Sequence, residues 1–200
     1  MYTLYYMEGS CSLATLSVLN EIGVNEVEII DKAKVENYKS INPVGAVPAL
    51  DDGGSIWREG AAIMIHLLDK HQSTMLPKEG DTRWYAIENI MFANATMHPA
   101  YGRLFFLNQV VENDDLKQEA MTAAANMIND LWATVELKLQ NREYLGGDKP
   151  SAADFMLATY SRWGGMFPVN ISIPARTEKM IAKVLSRASF VKALELEKGL

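Results

Sequence analysis

An α/β first half followed by an all-helical second half is the fold class this sequence predicts, and three observations predict it. A strand signal at Thr3-Leu4-Tyr5-Tyr6, a helical run and a second strand signal at Val27-Glu28-Ile29-Ile30 follow one another at crossover spacing. A hairpin signature closes that half, with Val47-Pro48-Ala49-Leu50, the turn Asp51-Asp52-Gly53-Gly54 and Ser55-Ile56-Trp57. Beyond it, apolar residues recur only at steps of three and four, as in Met121, Ala124, Ile128, Leu131, Val135 and Leu139. Strands first and helices after is the pattern of two packed domains rather than one doubly wound sheet.

Each element has a local reason. The first strand ends near Met7, at the turn-prone Glu8-Gly9-Ser10. Ser10 or Ser12 is expected to cap the following helix, whose face is Leu13, Leu16 and Leu19 or Asn20 and whose stop is Gly23. A strand, helix, strand succession of this length implies a parallel pair. Lys32 to Ser40 is polar, with room for a short helix. Gly60 to His71 reads as an amphipathic helix, with Met64, Leu67, Leu68 and His71 on one side. Polar Gln72 to Asp81, holding Pro77 and Gly80, is the expected linker, which sets domains at 1–75 and 81–200.

Composition narrows the function. The chain has 200 residues, 48% of them hydrophobic and 22% charged, enough to bury a core. A net charge of -6 argues against nucleic acid or an anionic membrane as partner, because both repel an acidic surface. The single cysteine, Cys11, excludes a disulfide framework and fits a reducing, cytoplasmic setting. No apolar run approaches the roughly 18 residues of a membrane span. His66 and His71 lie five apart without a third ligand nearby, so no metal is expected.

Three stretches of the first half could carry chemistry. Cys11 falls between a strand and the start of a helix, where free amides and the helix dipole favour a thiolate; the bland alternative is a small buried residue. Pro48 opens an apolar strand, as either an ordinary trans proline or a cis turn, and could leave the Val47 N–H and C=O free to pair with a peptide-like ligand. Glu59-Gly60 puts an acid beside free amides at a helix N-terminus, a site able to take both ends of an amino acid, or simply a helix cap. Ser151 and Asp154 have the spacing of a reciprocal helix cap.

Taken together, Gly9-Ser10-Cys11-Ser12-Leu13-Ala14, Asn42-Pro43-x-Gly45-x-Val47-Pro48-Ala49-Leu50 and Glu59-Gly60-Ala61-Ala62-Ile63 resemble, in order and spacing, the first domain of the bacterial beta-class glutathione transferases. Ile87 to His98, Tyr101 and Leu104-Phe105 are similar to that class's first long helix, and Tyr144 to Asp148 with Ser151 to Asp154 to its folding motif. The resemblance spans nearly the whole chain. It implies a thioredoxin-like N-terminal domain, a helical-bundle C-terminal domain and a homodimer. It implies glutathione as co-substrate, conjugated to a small apolar electrophile, with glutathione-dependent thiol–disulfide exchange through Cys11 or a non-catalytic binding module as alternatives.

By position, the resemblance makes Cys11 the cysteine facing glutathione's sulfur and His98 a helical-domain residue reaching the same region. Val47, next to a cis Pro48, is matched to the pairing main chain, Glu59 and Gly60 to the holders of the γ-glutamyl end, and Lys34 or Lys32 to the cation at the glycyl carboxylate. Ser10 and Ser12 are candidate donors to the sulfur, Tyr5 and Tyr6 are read as structural, and Trp163, Phe167, Met97 and Tyr101 are suggested for the electrophile pocket. The sequence departs from the class at Pro99, where a lysine is usual, at Met91, where an asparagine is usual, and at Glu8, in place of a proline.

Overall fold

A computed structural model describes residues 1–199. It divides into two compact units, Met1–Ile87 joined by the chain from Leu185 onward, and Glu88–Val184. The sequence reading gives everything after residue 81 to the helical domain, whereas the last helix folds with the first unit.

The first unit is built on four strands, β1 (Tyr2–Tyr6), β2 (Val27–Asp31), β3 (Ala49–Asp52) and β4 (Ser55–Arg58), in the order β2-β1-β3-β4. β1 and β2 are parallel, with Leu4 opposite Ile29, and β1 and β3 are antiparallel, with Leu4 opposite Leu50. Central β1 alternates buried and half-buried residues, so Tyr2, Leu4 and Tyr6 share one face. Helices α1 (Ser12–Glu21) and α2 (Gly60–Lys70) supply Leu13, Leu16, Leu19, Ile63, Leu67 and Leu68 to the core, all at most 1% exposed. Both edges of the β3–β4 turn use glycine, Gly53 at φ +63° and Gly54 at φ +97°, conformations that an L side chain rarely adopts.

At the start of α1 the expected serine contact is present: the residue before the helix is Cys11, which makes no side-chain cap, and the Ser10 hydroxyl accepts the Ser12 amide, the helix's first, at 3.2 Å. The Lys32–Ser40 stretch forms two separate 3₁₀ turns, Lys32–Lys34 and Tyr38–Ser40, because Asp31 caps the first by accepting from the Ala33 amide and the chain is extended at Val35.

The last helix, α8 (Ala188–Glu197), packs on α1. Glu21, held below the ordinary carboxylate range, accepts from Arg187 and Ser189; burial opposes that shift and these hydrogen bonds outweigh it. Asn20 Nδ2 donates to the Ser189 carbonyl at 3.1 Å.

The second unit holds the rest of α3 (Gly80–Met91), then α4 (His98–Val110), α5 (Asp114–Lys138), α6 (Ala152–Ser161) and α7 (Ala175–Leu185). α6 is its centre, buried from Ala152 through Tyr160. Its start is fixed by fully buried Asp154, which accepts from the Ser151 amide and hydroxyl, both at 2.7 Å, and from the Leu145 amide at 3.0 Å. α6 ends at Ser161, and Gly164–Met166 is a 3₁₀ turn. Between α3 and α4 the chain makes a π-helical turn, Phe92–Met97. Pro99 explains it: without an N–H, and with its ring against the preceding turn, it cannot continue a regular α-helix.

Candidate functional site

The first unit brings three separated stretches to one place, beginning with the loop from β1 into α1. Gly9, at φ +70°, donates its amide to Glu197 Oε1 at 2.8 Å, and the Tyr6 hydroxyl donates to the same carboxylate oxygen at 2.5 Å. Glu197, only 5% exposed, thus anchors the loop from the far end of the chain. Fully buried Tyr6 spends its hydroxyl there and is no donor to a ligand's sulfur. Tyr5 packs its ring against Tyr38, 5.8 Å between centroids. Ser10 is likewise committed, its hydroxyl hydrogen-bonded to the Met7 carbonyl and the Ser12 hydroxyl.

The loop before Pro48 is held from beneath. Buried Asn42 donates Nδ2 to the Ala46 carbonyl at 2.8 Å and accepts the Val44 amide at 3.2 Å, while the Tyr38 hydroxyl donates to the same Ala46 carbonyl at 2.8 Å. Lys32 Nζ donates to the Gly45 carbonyl at 3.2 Å, and Lys34 is exposed on the same 3₁₀ turn. The Val47–Pro48 peptide is cis. Among the described residues, the Val47 main chain has no partner in the sheet, and its carbonyl accepts only the Cys11 thiol, Sγ to O 3.3 Å.

Glu59 contributes from the third stretch. It precedes α2 at φ 67°, a left-handed conformation unusual for a residue with a side chain, and that side chain caps nothing on the helix. Strain of this kind costs on the order of 1–3 kcal/mol, and it tends to be kept where a site needs the geometry. Glu59 is exposed, Gly60 is the first residue of the helix, and the carboxylate is close enough to act electrostatically on Cys11.

Of the two sequence readings of Cys11, a thiolate or a buried thiol, its surroundings favour the second. The thiol is pushed up to about 11 by burial; its own backbone amide pulls the other way, and the Glu59 charge adds to the rise. The helix start therefore does not make a thiolate here. Desolvation exceeds the field of a few amides, and the nearby acid opposes ionisation.

His98 lies at the start of α4 in the second unit, half-buried, its ring 5.1 Å from Tyr160 and 5.4 Å from Trp163. Burial lowers its proton affinity, so the imidazole is neutral at neutral pH. The residues suggested for an electrophile pocket are core instead. Met97 and Tyr101 are fully buried, and Trp163 and Phe167 are 5% and 8% exposed. Tyr101 accepts the Trp132 indole N–H at 3.0 Å, and Phe105, half-buried, is the ring of this cluster that keeps some surface. His66 and His71 are bound to Asp52 and to the Tyr2 hydroxyl, each at 2.8 Å, and among the described residues no three His, Cys, Asp or Glu converge as metal ligands do.

Comparison with known proteins agrees with this geometry. Residues 4–75 match the model for glutathione S-transferase N-terminal domains, and residues 74–182 the model for the C-terminal domains. The chain is 32% identical, over 97% of its length and 98% of the relative's, to glutathione S-transferase GST-4.5 of Xanthomonas campestris. It belongs to the glutathione S-transferase family. Among solved structures it is similar to a sphingomonad glutathione S-transferase complexed with glutathione, at 26% identity, TM-score 0.85 and 98% coverage of both chains. It is also similar to the ternary complex of the bacterial transferase BphK, at 28% identity, TM-score 0.85 and coverage of 99% and 100%. The thioredoxin-like first unit and the helical second unit are the two halves of the transferase fold.

Sequence reasoning placed Cys11, Val47, Pro48, Glu59 and Gly60 on one unit, and the fold gathers Cys11 and Val47 to hydrogen-bonding distance. It missed Tyr38 as a brace of the loop, and Glu197. Asn42 stood within a recognised motif, so its buttressing role had a signal, whereas Glu197 is 188 residues from Gly9 and has none.

Proposed function

We propose that this transferase binds reduced glutathione along the Val47 edge of its first unit and transfers it to a small apolar electrophile. The observation that carries the reading is the Val47 main chain, outside the sheet and beside Cys11, on a loop that Asn42, Tyr38 and Lys32 brace. Such an edge accepts a peptide-like ligand as an added strand, with backbone hydrogen bonds supplying affinity. The γ-glutamyl end then falls to Glu59 and the Gly60 amides, its ammonium on the carboxylate and its own carboxylate at the helix start. The cation for the glycyl carboxylate is Lys32 or Lys34 from the neighbouring 3₁₀ turn. In the reaction the glutathione sulfur, having given up its proton, attacks an electrophilic carbon, and the leaving group departs with the bonding pair. Hydrogen bonds that stabilise the thiolate supply the main catalytic advantage.

Burial and the Glu59 charge push the Cys11 thiol up and favour its protonated form, which weighs against thiol–disulfide exchange through it. A cytoplasmic setting suits the unpaired cysteine.

Calorimetry with reduced glutathione and a conjugation assay with an activated aryl halide test the reading together. Glutathione should bind and the conjugation rate should exceed buffer. Glu59→Gln should weaken binding roughly tenfold, the loss of one charge-assisted hydrogen bond. Binding without any rate above buffer would make the chain a non-catalytic module, and absence of both would remove glutathione from its function.

A further inference from the structure

The peptide that joins Ala46 to Val47 is gripped from one side. Its carbonyl, that of Ala46, accepts both the Tyr38 hydroxyl and Asn42 Nδ2, each at 2.8 Å, which uses both lone pairs. The two donors are only 8% and 4% exposed, so the carbonyl is turned toward the buried underside of the loop. The cis bond of this loop is the next one, Val47–Pro48, and the Ala46–Val47 peptide is trans. A trans peptide is planar and its N–H points opposite to its C=O. Holding the Ala46 carbonyl inward therefore holds the Val47 N–H outward, away from Tyr38 and Asn42.

The two donors are also locked to each other. Tyr38 opens the Tyr38–Ser40 turn, and its own carbonyl accepts the Ile41 amide at 2.9 Å and the Asn42 amide at 3.0 Å. Its ring lies against Tyr5 of the central strand, 5.8 Å between centroids, which ties the hydroxyl to the sheet. Burial, with a smaller effect from Tyr5, pushes the phenol up to about 12, so it keeps the proton it donates. A phenylalanine would fill the same space and pack on the same strand; the hydroxyl adds the second hold on the peptide plane. A backbone donor aimed before its ligand arrives spares the cost of ordering it on binding.

Resting on the glutathione-binding reading above, we propose that Tyr38 is a positioning residue for the tripeptide: its hydroxyl, together with Asn42, fixes the Ala46–Val47 peptide plane so that the Val47 N–H faces the ligand edge. Tyr38 acts through that plane and takes no part in the transfer itself.

Ala46-Val47 is the one Ala-Val pair in the sequence, so protein carrying carbonyl-13C alanine and 15N valine gives a single cross-peak in a spectrum correlating each amide with the preceding carbonyl. Saturating reduced glutathione should move the Val47 amide proton of the natural protein downfield, as that N–H gains an acceptor. In the free protein, Tyr38→Phe should move the Ala46 carbonyl carbon upfield. The same variant should raise the calorimetric Kd for reduced glutathione roughly three- to tenfold, the loss of one neutral hydrogen bond. Its kcat at saturating glutathione should be retained while kcat/KM falls by the same factor as the affinity. A Val47 amide proton that stays in place in a calorimetrically saturated complex of the natural protein overturns the proposal without recourse to a variant, and leaves glutathione binding standing. An unchanged Kd in Tyr38→Phe, an unmoved Ala46 carbon, or a lowered kcat at saturation does the same. Failure of the natural protein to bind glutathione removes the glutathione reading itself, and this proposal with it.

Discussion

Cys11 shows how one residue's surroundings reverse a local rule. A sulfur at a helix start is expected to ionise easily, yet here packing around the half-buried Cys11 desolvates the thiol and Glu59 lies near it, so the thiol is pushed up to about 11. Its iodoacetamide alkylation rate should therefore keep climbing as pH passes the ordinary thiol range of about 8.5. The same shift acts on stability. With the folded value above the unfolded one, the folded state holds the extra proton between the two. The contribution is therefore present in full below the unfolded value and is lost as pH rises through the window toward about 11. Urea titrations at neutral and alkaline pH should show this loss, and Cys11→Ser should reduce it. An alkylation rate that levels off below pH 8 would contradict the whole account. The position of this residue was legible in the sequence, because strand, turn and helix signals are local. Its charge state was not, because burial and the approach of Glu59 are products of the tertiary fold.

Among the elements, α8 carries the greatest consequence, since the chain's end belongs to the glutathione-binding unit. Phe190 is fully buried, Arg187 and Ser189 meet Glu21, and Glu197 takes both the Gly9 amide and the Tyr6 hydroxyl. Losing one buried phenylalanine typically costs about 3–5 kcal/mol, against a total domain stability of about 5–15 kcal/mol. Ending the chain at Ser186 should thus abolish glutathione binding, although it removes no residue that touches the tripeptide. Glu197→Gln, which keeps the helix, should loosen only the loop and weaken binding less. Unchanged affinity in the truncated protein would show that α8 is dispensable to the site. Nothing in the sequence announced this. Periodicity finds a helix and its apolar face, but the surface that covers the face lies far away along the chain. The π-helical turn before His98 was half legible, since Pro99 requires an interruption without specifying its form.

At the scale of the whole molecule, the first unit carries an apolar surface that a lone chain would leave in water. Trp84 and Tyr85 on α3 are 66% and 59% exposed, and Trp57 on β4 is 37% exposed. Arg83, paired with both oxygens of Asp69 at 2.7 Å, ties the start of α3 to α2. Asp69 in turn lines a cavity of about 640 Å³ with Trp57, Ala62, Ile65, His66 and Lys70. Exposed rings of this size are candidates for an interaction surface. The homodimer that the resemblance implies would cover them with a second copy of this chain. Each copy brings a net charge of -6, so association works against a mild repulsion that salt screens, and added salt should tighten the pair. Light scattering should give twice the chain mass for the natural protein and the single-chain mass for Trp84→Glu/Tyr85→Glu, with the circular dichroism of the variant retained. A natural protein that scatters as one chain at micromolar concentration would leave these rings without a partner of their own kind.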